Sequence, residues 1–408
     1  MKYVLLIGDG MGDLPIPALD NKTPLEYAAT PAMDRLAMEG EMLLVHTVPD
    51  GFPPGSDVAN LSLLGYEPDK YYTGRAPLEA ASMGVDLAGD EIAFRCNLVT
   101  LDHSADGSSV GMADYSAGHI STEEARELIN AVAAECNTDR LAFHPGVSYR
   151  HLMVWKGSSP RLDPVPPHDY TDQDVTVFYK QYLAVPEFKE LLEKANKILA
   201  DHPVNKARVA SGKNPANGLW LWGAGRKPKM EFIKDRYGVS GSLISAVDLL
   251  KGLGVCSGLE VVEVEGVTGY IDTNYEGKAE AALYALRDQD LVVVHVEAPD
   301  EAGHQGSTED KVQAITDFDG RIVAPIVRGL EELGEPFRVV ITMDHYTPIS
   351  RKTHEDWPVP MVIYDSRGVD SPGGCGYTEA NVKKVVQVNG LELQSGAQFF
   401  KRFISGSS

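Results

Sequence analysis

Leu291-Val292-Val293-Val294-His295-Val296-Glu297-Ala298-Pro299-Asp300-Glu301-Ala302-Gly303-His304 is a valine-rich run that leads, past a proline, to an acid and then to an imidazole four residues further on. A short β-branched run ended by a turn signal reads as a strand buried on both faces. Two other stretches share its form. Tyr3-Val4-Leu5-Leu6-Ile7 runs into Asp9, and Arg338–Thr342 runs into Asp344, with His345 directly after it. In an open parallel sheet the carboxyl ends of the strands share one edge, and ligands bind in the crevice beyond it. Acids and imidazoles from both ends of the chain are therefore expected to meet at one place, as in a metal site.

Bulk properties bound the rest. With 408 residues, 43% of them hydrophobic, the chain is long enough for two or three domains with sizeable cores. A formal net charge of −22 opposes broad binding to nucleic acid or to anionic membranes, and an anionic substrate would need locally concentrated positive charge from metals or a few arginines. The four cysteines, Cys96, Cys136, Cys256 and Cys375, form no CxxC pair and fit reduced thiols. No apolar run approaches the roughly 18 residues of a spanning helix, and the N-terminus lacks a signal-peptide core. The expectation is a cytoplasmic protein. Nothing in the composition indicates oligomeric state.

The order of signals predicts an α/β protein. The first strand, 3–7, precedes a glycine-rich loop. Thr23 and Glu26 form a capping box around Pro24, Thr30-Pro31 opens a helix that stops at Gly40, and another helix is predicted from Ser56-Asp57 to Gly65. From about Val85 the texture changes. Strands are expected over Ile92–Leu101 and Tyr149–Trp155, helices after Ser121 to Cys136 and over Phe188–Ala200, and a polar, proline-bearing stretch over 157–174. An apolar strand pattern returns at Leu219–Trp222, and βα alternation follows. This predicts a doubly wound core, 1–84 with 216–408, interrupted by an inserted α+β domain, 85–215.

Taken singly, the candidate ligands have ordinary explanations: Asp9 as a turn residue between Gly8 and Gly10, His354 as a solvated loop histidine before the strand Met361–Tyr364. Taken jointly, Asp9, Asp300, His304, Asp344, His345 and His354 suit one or two divalent ions such as Mn²⁺ or Zn²⁺. Ser56, in Gly55-Ser56-Asp57-Val58-Ala59-Asn60, stands at an expected helix N-terminus, where unpaired N–H groups favour a phosphate. Serine is a preferred N-cap, and from the local residues alone that is the favoured reading; no histidine lies in its segment to act as a base, and a nearby metal would supply the activation. Gly8-Asp-Gly10-Met-Gly12 lacks the third glycine of a dinucleotide fingerprint, and Pro15 and Pro17 forbid the helix it needs. No P-loop is present. Gly223-Ala-Gly225-Arg226 is a candidate anion-binding turn or simply a polar one.

On these residues the chain resembles the cofactor-independent phosphoglycerate mutases of the archaeal type, within the alkaline phosphatase superfamily. The motifs are Gly8–Asp13, Gly55–Ser62, Ala298–His304, and Asp344-His345 with His354. The resemblance spans nearly the whole chain. It implies an alkaline-phosphatase-like core and two divalent ions (Mn²⁺ or Zn²⁺, with Mg²⁺ or Co²⁺ as alternatives), without bisphosphoglycerate. Asp300, His304 and His354 would hold one ion, and Asp9, Ser56, Asp344 and His345 the other. Ser56 would be the phosphorylated nucleophile in an exchange between 3-phosphoglycerate and 2-phosphoglycerate, and the insert would close over the substrate. Arg95, Arg150, His151, His168, Asp169 and Arg226 look like substrate-binding residues. Tyr71–Glu79 and Pro145–His151 are similar to a branch proposed to act as homoserine kinase, which leaves a related phosphotransferase or a metal-dependent phosphomonoesterase as alternative activities.

Overall fold

Fourteen strands order the chain in the computed structural model, which describes residues 1–157, 162 and 165–406. They are β1 (Lys2–Gly8), β2 (Glu41–Val45), β3 (Glu91–His103), β4 (Val110–Asp114), β5 (Leu141–His144), β6 (Arg150–Lys156), β7 (Gln173–Asp174), β8 (Gly218–Gly225), β9 (Gly241–Ile244), β10 (Glu260–Val261), β11 (Leu291–Val296), β12 (Phe337–Thr342), β13 (Val359–Asp365) and β14 (Glu392–Leu393). Two compact units result. One comprises Met1–Tyr72 with Lys229–Ser408, and the other is Thr73–Pro228. Part of the polar stretch expected over 157–174 lies outside the described residues.

The split unit is built on an eight-stranded sheet in the order β10-β9-β11-β1-β12-β13-β2-β14. Its centre is the three strands singled out in the sequence. β1 pairs in parallel with β11 on one side and β12 on the other, with Ile7 opposite both His295 and Thr342. Val4, Leu5, Leu6 and Ile7 are at most 1% exposed, as are Val292, Val293 and Val294. Each such side chain contributes about 1.5–3 kcal/mol of transfer free energy, which explains the near-continuous apolar runs. Because the three strands are parallel, adjacent and in register, their carboxyl ends release Asp9, the 297–304 segment and Asp344 side by side. β13 is the exception in direction, antiparallel to both β12 and β2. The helices 31–39, 275–285 and 379–389 pack on this sheet.

The second unit carries an antiparallel six-stranded sheet, with β5-β6-β3-β4-β7 in order and β8 paired to β3. Helices Thr122–Cys136 and Pro186–Asp201 lie over it, and Ser121 caps the first as expected, accepting the Glu124 N–H at 3.2 Å. The expected boundaries of 85 and 215 shift outward at both ends. Leu219–Trp222, read as the return of the core, belongs to β8 and pairs with β3; Trp220 is buried against Tyr182, with ring centroids 5.5 Å apart. Helix Ala76–Ser82 packs on the same sheet. The chain enters and leaves this unit through a close crossing. A Cβ on Gly225 would stand 2.1 Å from the Thr73 carbonyl oxygen, and one on Gly74 would stand 2.3 Å from that of Ala224. That contact accounts for these glycines without an anion.

Candidate metal centre and nucleophile

The helix Ala298–Gln305 starts directly after β11, with a proline in its first turn. Asp300 and His304, four apart, therefore share a face. Asp300 Oδ2 lies 3.2 Å from His304 Nε2, and Asp300 Oδ1 lies 3.5 Å from His354 Nε2. The two Nε2 atoms are 2.9 Å apart. His304 Nδ1 faces the Lys352 carbonyl at 3.0 Å, so Nδ1 carries the proton that donates there and Nε2 is directed inward. Burial lowers His304, but the hydrogen bond and charge of Asp300 outweigh it and raise the imidazole to about 9. Burial pushes Asp300 up, and its bonds with His304 and His354 reverse this and hold it well below the usual carboxylate range.

Through Asp300, itself buried, this group adjoins a fully buried one. Asp9, Asp344 and His345 are each at most 1% exposed. His345 Nε2 lies 3.4 Å from Asp9 Oδ1 and 3.5 Å from Asp344 Oδ2. Asp344 is braced by N–H donors from Gly10 at 3.2 Å and His345 at 2.9 Å, and by Asn60 Nδ2 at 2.8 Å. Asp9 Oδ1 is buried with no hydrogen-bond partner among the described residues. Burial, and then the charges of Asp344 and Asp300, push the Asp9 carboxyl well up. A carboxyl raised beside other carboxylates and an imidazole drawn toward protonation both report surplus negative charge, which a divalent cation would offset. Ligand atoms of Asp300, His304 and His354, and of Asp9, Asp300 and His345, lie within 4.8 Å of one another in each set. The donor chemistry fits divalent metals.

Ser56 opens the helix Ser56–Leu63, but the capping position falls on Gly55. Its hydroxyl faces His345 Nε2 at 3.1 Å instead. The N-cap alternative is thereby removed, and an imidazole that the local segment does not contain arrives from the end of β12. Asn60, one turn later, donates through Nδ2 to both the Ser56 carbonyl and Asp344 Oδ2, which ties the serine's helix to the acid.

Sequence reading missed several residues here. Thr347 Oγ1 donates to Asp300 Oδ1 and stands 3.2 Å from His345 Nδ1, so one hydroxyl links the two groups. Gly10, at φ +59°, is required beside it; a Cβ would lie 2.6 Å from both Asp300 Oδ1 and Thr347 Oγ1. Lys311 is fully buried and donates to the carbonyls of Gly12 and Thr347 and to Asp13 Oδ2, tying together the loops after β1 and β12. His295, inside β11, lies with Nε2 3.0 Å from Asp9 Oδ2. A histidine within an otherwise apolar strand is the one signal that would have found it.

The candidate residues of the insert are held differently. Arg95 is largely buried; its Nε lies 3.0 Å from Glu79 Oε2, and its guanidinium stacks 3.9 Å over Trp222. His168 meets Trp222 edge-on at 5.6 Å and lies 3.6 Å from the exposed Asp169. Arg150 is exposed, 5.9 Å over the Tyr149 ring. His151 is buried, its Nδ1 accepts the Gly146 N–H, and burial lowers it to about 3. Arg226 donates to the carbonyls of Gly89 and Gly157, each at 3.3 Å.

Residues 37–205 match the family model described as 2,3-bisphosphoglycerate-independent phosphoglycerate mutase. A protein of that name from Methanosarcina barkeri is 52% identical over 94% of this chain and 95% of its own length. A probable one from Geobacter sulfurreducens is 48% identical over 99% and 100%. Among solved structures, the PH0037 protein from Pyrococcus horikoshii superposes with a TM-score of 0.81 at 28% identity, over 100% of this chain and 98% of its own. A cofactor-independent phosphoglycerate mutase from Thermoplasma acidophilum gives 0.61 at 27% identity, over 94% and 95%.

Proposed function

Because the chain belongs to the 2,3-bisphosphoglycerate-independent phosphoglycerate mutase family, we propose that it is an isomerase interconverting 3-phosphoglycerate and 2-phosphoglycerate, with Ser56 as the phosphate-accepting nucleophile. The observation that carries the assignment is the Ser56 hydroxyl, not taken up by capping and 3.1 Å from an imidazole that also faces two buried carboxylates. Asp300, His304 and His354 would hold one divalent cation, and Asp9, Ser56, Asp344 and His345 a second. Mn²⁺ and Zn²⁺ suit this oxygen and nitrogen set best, with Mg²⁺ and Co²⁺ compatible. When bound, such ions lower the pKa of a serine hydroxyl and neutralise the phosphoryl oxygens.

The chain's own groups then do the following. Ser56 Oγ attacks phosphorus in line, the bond from phosphorus to the glycerate oxygen breaks, and phosphoserine holds the group. The N-terminal turn of helix Ser56–Leu63, where the helix dipole presents its positive end, stabilises the phosphoryl charge. Glycerate presents its other hydroxyl, which takes the phosphoryl back and frees Ser56. No bisphosphoglycerate enters this cycle. Phosphoserine must be shielded from water, because hydrolysis would turn the same groups into a phosphatase. We assign Arg150 and the Arg95, Trp222 and His168 cluster to recognition of the anionic substrate, with His151, Asp169 and Arg226 supporting the surrounding loops.

The test is to supply purified, Mn²⁺-loaded protein with 3-phosphoglycerate, without ATP or bisphosphoglycerate. Appearance of 2-phosphoglycerate at constant total organic phosphate is the expected result. Release of inorganic phosphate would make the protein a phosphomonoesterase, and turnover only with ATP and homoserine would make it a kinase.

A further inference from the structure

His295 is the fifth residue of β11 and has no exposed surface. Its Nε2 lies 3.0 Å from Asp9 Oδ2, yet that nitrogen and Asp9 Oδ1 are both buried without a hydrogen-bond partner among the described residues. The donor atoms of Asp9, His295 and Asp344, all buried, lie within 4.8 Å of one another. On the other side of the ring, Nδ1 faces Ser245 Oγ at 3.3 Å, and that oxygen also accepts the Val247 N–H at 3.0 Å. Lys278 Nζ donates to the His295 carbonyl at 2.9 Å, which fixes the backbone from which the ring projects.

A buried nitrogen and a buried carboxylate left without good hydrogen bonds cost free energy unless something else satisfies both. A cation between them does so. We propose that His295 is a further ligand, through Nε2, of the cation held by Asp9 and Asp344, with Ser245 accepting the Nδ1 proton so that the Nε2 lone pair points inward. This rests on the reading above that the buried group holds a divalent ion. It adds a ligand that neither the strand-end acids nor the family motifs name. Metal-bound imidazoles usually donate their second nitrogen to such an outer partner, which fixes tautomer and ring orientation. The competing role for His295 is an orienting donor, with Nε2–H directed at Asp9. The two roles differ in which ring nitrogen carries the proton.

Glutamine separates them, because its amide supplies an N–H near the position of Nε2 but no nitrogen lone pair. The full chain is titrated with Co²⁺ and followed by equilibrium dialysis, metal analysis and visible absorption. The parent is expected to take up two ions per chain. His295→Gln should retain the ion of Asp300, His304 and His354, lose at least about tenfold in affinity for the buried one, and change the ligand-field spectrum. Ser245→Ala should weaken the same ion by roughly 10–100-fold, and it carries the test if His295→Gln fails to fold. Parental stoichiometry, affinity and spectrum in His295→Gln, or in Ser245→Ala where that variant stands alone, would overturn the assignment of His295 and leave the rest of the centre intact. A parent chain that binds no Co²⁺ would instead overturn the metal reading itself.

Discussion

The polar residues at the ends of β1, β11 and β12 and the polar residues of the insert solve opposite problems. In the first region buried carboxylates are pressed together: Asp9 has an oxygen with no hydrogen-bond partner among the described residues, and Asp300 is flanked by two imidazoles. In the second, two of the cationic groups are already answered. Arg95 has Glu79 and the face of Trp222, and Arg226 has two carbonyls. The difference teaches what each region is prepared for. Unmet negative charge in a dry place calls for a cation, whereas a guanidinium held by a carboxylate and an aromatic ring is preorganised and can receive an anion without a large change of its own.

The sharpest way to break this comparison is at the nucleophile. Ser56→Ala is expected to lower mutase turnover by at least about 10³-fold, since it removes the attacking atom rather than tuning it. Metal content falls little and circular dichroism is unchanged, because the surrounding acids and imidazoles remain. Full turnover in that variant would separate Ser56 from the chemistry.

Arg95→Met sharpens the other side. It leaves Glu79 without its partner and removes the stack on Trp222, so stability falls by roughly 2–4 kcal/mol, read by denaturant unfolding. If Arg95 also prepares the anion site, KM rises about tenfold at a temperature where the variant is fully folded. An unchanged KM with reduced stability would confine Arg95 to the fold of the insert.

The smallest effect tests the border of the metal centre. Glu379 accepts the Thr23 hydroxyl at 2.8 Å and the Asp13 N–H at 3.3 Å, and burial pushes its carboxyl from 4.5 up to about 7. The folded state therefore holds this proton over a range in which the unfolded chain has lost it. The stability so contributed is complete below about pH 4.5 and is lost as pH rises through about 7. Glu379→Gln should remove that loss. Compared with the parent, the variant gains about 3 kcal/mol at pH 8 and about nothing at pH 4. Equal differences at both pH values would show that the carboxyl titrates normally.

Much of this was legible in the residues because the chemistry sits where periodicity ends. Asp9, Asp300 and Asp344 follow apolar strands, and a parallel register then brings them together without further information. His304 follows from helical spacing. What stayed hidden has physical reasons. Leu219–Trp222 reads as a buried strand, but apolar character does not say which sheet a strand joins, so the domain boundary moved. Thr347 and Ser245 act through one hydroxyl each, and isolated hydroxyls have no sequence signature. Lys311 looks like an ordinary charge on an amphipathic helix, and its burial depends on two carbonyls from distant loops. Ser56 resembled a cap because local sequence cannot show an imidazole that approaches from His345, near the other end of the chain.

Pairing of β1 on both sides with β11 and β12 has a further consequence during synthesis. Of the central three strands, β1 leaves the ribosome long before either of its neighbours and waits longest for them, since β11 and β12 both follow far along the sequence. Until then Tyr3–Ile7 carries two open edges and a fully apolar surface, while Thr73–Pro228 is contiguous and needs nothing from later residues for its own sheet. Loop closure over so many residues makes that docking slow, and an unpaired hydrophobic strand is the segment most exposed to misassociation in the interval. Nascent chains truncated before Leu291 are thus the species for which a chaperone's protection matters most.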